Sequence, residues 1–76
     1  MAAMKDITDL KENQSARVYK ITAPEPLRSR LLGMGILKGA EVLLKNYTFS
    51  KKTYEVEIGR TNVALREEEA KGILIK

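Results

Sequence analysis

The residues able to do chemistry in this chain of 76 are few in kind. There is no histidine and no cysteine, so the usual nucleophile and base pairs, and the soft or borderline metal sites, lack their commonest ligands. Neither a disulfide nor a thiolate-bound zinc or iron–sulfur centre can supplement the core, which fits a reducing compartment. What remains is carboxylates and cations. Asp6, Asp9, Glu25 and Glu41 are scattered, with no two placed together as an acid and a base. Glu67, Glu68 and Glu69 are consecutive, and consecutive residues on a helical turn point in different directions, so they cannot converge on one hard cation. No catalytic residue, metal ligand or cofactor site is expected, and nothing argues for an enzyme.

"GMGILKG" at residues 33–39 has the outline of a dinucleotide fingerprint. Its glycines leave a helix, however, whereas phosphate binding needs them to leave a strand and open one. The cations fall into two groups. Lys45, Lys51 and Lys52 cluster around a hairpin tip, "KNYTFSKK", with Tyr47 and Phe49 between them. Aromatic and basic residues on a barrel loop can stack on bases and neutralise phosphates. Arg28 and Arg30 lie on a helix beside Leu32, which sits off the main apolar stripe. They can grip a carboxylate or phosphate, or simply cover the stripe with their stems. Two function classes follow: a docking module that uses Arg28, Arg30 and Leu32, and, as the alternative, a small nucleic-acid-binding barrel.

The elements that position these groups read from one piece of chain, a single domain over residues 1–76. At this length roughly 60% of the unfolded surface can be buried, so one modest apolar core must suffice. Fourteen basic against 10 acidic residues leave a net charge of +4, a mild excess compatible with an acidic partner, a membrane surface or nucleic acid. Lys5 and Asp6 interrupt the start where a signal peptide needs an apolar run, and no stretch approaches a membrane span, so a soluble cytoplasmic protein is expected.

After a polar lead-in and a turn at "KENQ", where Asn13 tolerates a left-handed backbone, "SARVYKI" reads as a first strand. Pro24 and Pro26 end it, and Pro26 suits the first position of a helix. Leu27, Leu31 and Met34 make that helix's apolar face. Gly35 should end it at positive φ, letting Ile36 fold back on Leu31. Gly39 turns the chain into a second strand carrying Val42 and Leu44 on one side. "TYEVEI" alternates Tyr54, Val56 and Ile58 against Thr53, Glu55 and Glu57, a half-buried strand. A turn over residues 59–62, opened by Gly59, precedes a short fourth strand at "VAL", then one helical turn at "REEEAK" and a closing strand at "ILI". The expected fold is mainly β: a small SH3-like barrel of about five short antiparallel strands, with a short α-helix inserted after the first.

Two stretches carry a resemblance. "LRSRLLGMGILKG" at residues 27–39 follows the pattern L-R-x-R-L-x-x-M-G-[IL]-x-x-G, and "VEIGRTNVALREEEAKGILI" at residues 56–75 supplies Gly59, Ala64, Leu65, Arg66, Glu69 and Ala70. Together and in this order they resemble the FeoA family, the small cytoplasmic proteins of bacterial ferrous iron uptake, over nearly the whole chain. The resemblance implies an SH3-like barrel working beside the permease FeoB, a membrane protein with a cytoplasmic GTP-binding domain. It also implies kinship with the domains that end the diphtheria-toxin-type metal-dependent repressors. The family's association with transition metals is not carried onto any residue here, because the chain has no histidine or cysteine. The implied partner is thus the permease rather than nucleic acid or lipid, with self-association left open.

Overall fold

The computed structural model describes residues 5–48, 50 and 52–76; Phe49 and Lys51 of the hairpin tip lie outside the described residues. The chain runs β1 (Lys5–Asp6), a 3₁₀ turn (Ile7–Asp9), β2 (Ser15–Ile21), α1 (Leu27–Gly33), β3 (Glu41–Tyr47), β4 (Thr53–Ile58), β5 (Thr61–Arg66), α2 (Glu67–Lys71) and β6 (Ile73–Ile75). All pairings are antiparallel, in the order β1-β6-β2-β3-β4-β5. Strands β2 to β5 follow one another, and β6 returns from the far end to lie between β1 and β2.

The alternation of β4 does what a period of two requires: Tyr54, Val56 and Ile58 are buried, and Glu55 is exposed. Val42 and Leu44 of β3, Leu65 of β5 and Ile73 and Ile75 of β6 turn to the same interior, where Ile7, Val18, Leu31 and Ile36 join them in one apolar cluster. Residues from both ends of the sheet share this cluster, so the sheet curls around a single core. No ladder joins β1 to β5 among the described residues. α2 packs there instead, against the 3₁₀ turn, β4, β5 and β6.

Helix α1 ends as its sequence demands. Gly35 has φ 88°, donating its N–H to the Leu32 carbonyl at 3.1 Å while Ile36 donates to that of Leu31 at 3.2 Å. These are the two bonds of a Schellman motif, with its apolar pair, Ile36 and Leu31, fully buried. Gly39 (φ 90°) and Gly59 (φ 63°) occupy the other positive-φ turns, and Asn13 is left-handed at φ 68°.

Three expectations need correction. Among the described residues there are six strands where about five were expected: the polar lead-in contains β1 and a 3₁₀ turn, formed because β6 offers a partner to Lys5 and Asp6. The turn at Gly59 takes only two residues, since Ile58 already faces Thr61. With Gly first in a two-residue loop this suits a II′ hairpin, and β5 extends over Thr61–Arg66 rather than three residues. Finally, Pro26, whose bond to Glu25 is cis, caps α1 rather than opening it.

Candidate functional site

Seven residues of α1 hang from the core by Leu31, with Leu27 and Met34 half-buried beside it. Each helical residue advances about 100°, so fixing that face fixes the others. Arg28 and Leu32, four apart, lie within about 40° of each other, whereas Arg30 is turned about 200° from Arg28. The structure therefore divides the three residues the sequence grouped together. Arg28 and Leu32 face one groove, and Arg30 faces α2.

The groove is an open hollow of about 340 Å³ lined by Tyr19, Lys20, Ile21, Arg28, Leu32 and Lys38. A bulge in β2 shapes one wall. Val18 pairs with Ile75 and Lys20 with Leu74, leaving Tyr19 as the extra residue, and such a residue is pushed out of the ladder. Tyr19 is 37% exposed and Leu32 40%, large apolar groups left on the surface. The ammonium of Lys76 sits 4.8 Å from the Tyr19 ring centroid, a cation–π contact that holds the ring. Lys38 arrives through the turn at Gly39, whose N–H donates to the Val18 carbonyl at 2.8 Å while Val18 donates to that of Ala40 at 2.9 Å.

Arg30 has another role. Its Nη1 lies 3.3 Å from Oε2 of Glu69, whose side chain is 3% exposed. The other carboxylate oxygen accepts the Arg66 N–H at 2.7 Å, capping α2. Oε2 has no hydrogen bond despite its burial: the guanidinium supplies charge at a poor angle. One buried carboxylate thus ties α2 to the strand before it and to α1. Sequence reading takes Glu69 with Glu67 and Glu68, as a run unable to converge on a cation. The signal for its real role was the three-residue spacing from Arg66 into a single-turn helix.

Asp6, Asp9 and Glu25, three of the four scattered carboxylates, serve local structure. Asp6 accepts from the Thr8 N–H at 2.8 Å and from its hydroxyl, and Asp9 accepts the Asp6 N–H at 3.0 Å, a reciprocal capping box. Glu25 accepts from the Ser29 hydroxyl and N–H, which hold its carboxyl below the ordinary value. No cluster of three or more potential metal ligands exists among the described residues. At the hairpin, Lys45 reaches Glu57 at 3.9 Å, and Tyr47 is half-buried with its ring 6.0 Å from that of Tyr54, tilted by 41°. Burial, then the charges of Glu67 and Asp6, push the Tyr54 phenol up.

A curled antiparallel sheet with one inserted helix and a basic and apolar groove beside it defines a small β domain of the SH3-like class. The FeoA domain model matches residues 5–76. A proposed Fe(2+) transport protein A of Helicobacter pylori is 38% identical, covering 88% of this chain and 93% of that protein. Among solved structures, a zinc-complexed FeoA of Stenotrophomonas maltophilia matches with TM-score 0.84 and 28% identity, over 95% of this chain and 89% of that one. That protein is described as a prokaryotic SH3 domain protein proposed to act as a ferrous iron transport activating factor. A manganese-dependent transcriptional repressor shares the fold at TM-score 0.86 and 15% identity, over 93% of this chain and 40% of its own. The chain belongs to the FeoA family.

Proposed function

We propose that this protein is a non-enzymatic accessory of bacterial ferrous iron uptake, a cytoplasmic interaction module that binds and regulates the GTPase-containing permease FeoB. The observation that carries the reading is family membership across residues 5–76. The groove supports it: exposed Leu32 beside Arg28 is the composition of a binding hot spot, an apolar anchor with an arginine at its edge. Arg30, the third residue of the set, acts from behind by holding α1 to α2.

Co-purification of the full chain with the permease from the same genome tests this. The permease should be captured, and replacing Arg28 and Leu32 together by alanine should weaken capture by about 1–3 kcal/mol without unfolding the protein, since both are exposed. A nucleic-acid ligand would behave differently, with affinity falling by a log–log salt slope of about −0.9 per duplex phosphate neutralised. Tight binding of that kind, with no capture of the permease, overturns the docking reading.

A further inference from the structure

We propose that the groove between α1 and the Tyr19 bulge receives an acidic protein segment carrying one apolar side chain. The apolar group lies over Tyr19, Ile21 and Leu32, and the carboxylates meet Lys20, Arg28 and Lys38. This rests on the docking reading above and specifies the chemistry of its contact.

Charge is the first argument. Among the described residues Arg30 pairs with Glu69 and Lys45 with Glu57, and neither pair uses a cation of the groove. Glu25, three positions before Arg28, gives its carboxylate to the Ser29 hydroxyl and N–H; it feels the Arg28 charge, the smallest of the causes acting on it, without forming an ion pair with it. Four other hollows on the surface each include a carboxylate: Glu41 and Glu57 in one, Asp9 in two, and Glu55 in the fourth. The groove of Lys20, Arg28 and Lys38 includes none. Complementarity therefore selects an acidic occupant, and unpaired cations at its rim would steer that occupant's approach.

Shape is the second. An apolar floor within a concave hollow of about 340 Å³ accepts a protruding side chain, which a bilayer surface does not offer. The walls are also preformed. β2 is paired on both sides, Tyr19 lies under Lys76, and α1 is fixed at its end by the Schellman bonds and from behind by Arg30. Little ordering entropy is lost when such a groove is filled.

The test measures binding of the full chain to intact permease in neutral-lipid nanodiscs, with variants R28E/K38E and K11E/K52E. These change net charge equally, and all four residues are exposed. R28E/K38E should weaken binding by roughly 30-fold or more, K11E/K52E by less than about threefold, and added salt should weaken the wild type. Wild-type binding that survives R28E/K38E, or that falls equally in both variants, overturns the groove and leaves docking standing. Absence of wild-type binding overturns both. Phosphatidylserine vesicles form the second arm: if R28E/K38E loses vesicle binding while permease binding is unchanged, the face belongs to the membrane and the proposal fails.

Discussion

Replacing Glu69 by alanine should destabilise the protein by about 1.5 kcal/mol, although the residue sits in an acidic run that looks like plain surface. α2 has five residues, far too few to be helical alone, so its caps and ties decide whether it forms. The variant loses the bond from the Arg66 N–H, 2.7 Å long, worth about 1 kcal/mol. It also loses the contact with Arg30, worth about 0.5–1 kcal/mol because the arginine side chain is 64% exposed and partly screened. The one buried methylene removed, Cγ, adds about 0.8 kcal/mol. Against this, removing Oε2, buried without a hydrogen bond, relieves about 1 kcal/mol of desolvation. For 76 residues the unfolding entropy is about 0.16 kcal/mol/K, so the midpoint should fall by about 9 °C. Glu69→Gln keeps the cap and the methylenes and should lose only about 3–6 °C. Thermal denaturation by circular dichroism reads both. If the glutamine variant falls as far as alanine, the charge and not the cap holds α2. If alanine falls by less than about 3 °C, the tie between the helices contributes nothing.

Gly35→Val should cost about 1–3 kcal/mol for backbone reasons alone, because φ is 88° and a Cβ there meets no neighbour within 4 Å. Gly33→Ala, with equal space but within α1, should instead gain about 0.5–1 kcal/mol, and equal effects in urea melts would refute the assignment of the helix end. In a spectrophotometric titration, Tyr54 should ionise above the ordinary tyrosine value of 10.0. Because its folded value is raised, its contribution to stability is complete below about pH 10 and is lost as pH rises through the folded value; ionisation of Tyr54 at or below the ordinary value of 10.0 would contradict the burial argument. Anaerobic calorimetry with ferrous ion should show at most weak binding, since the described residues offer only dispersed carboxylates, and stoichiometric micromolar affinity would refute this.

Local patterning reveals an element when its own residues determine it. The bounds of β2, β4 and β6 match "SARVYKI", "TYEVEI" and "ILI", because alternation between two faces is a property of the segment itself. The helix stop at Gly35 is equally local, since only glycine enters that backbone region without strain. β1 escaped because two residues, Lys5 and Asp6, carry no periodicity; what makes them a strand is β6, some 70 positions away in the chain. A signal did exist beside it, in the three-residue spacing of Asp6 and Asp9 that closes a capping box.

The groove divides along the same line. That Arg28 and Leu32 share a side and Arg30 does not follows from about 100° per residue, so that error was one of reading rather than of information. Tyr19 is different. Within "SARVYKI" it alternates away from Val18 like any outward residue, and only the register against β6 makes it the bulged position. Lys38 reaches the same groove because the Gly39 turn docks on Val18, a contact between segments some 20 residues apart. A groove whose two walls come from separate chain segments has its composition written in the sequence but its membership decided by strand register. A register shift at β2 that left every lining residue in place would therefore remove the site, since a one-residue slip exchanges the two faces of a strand.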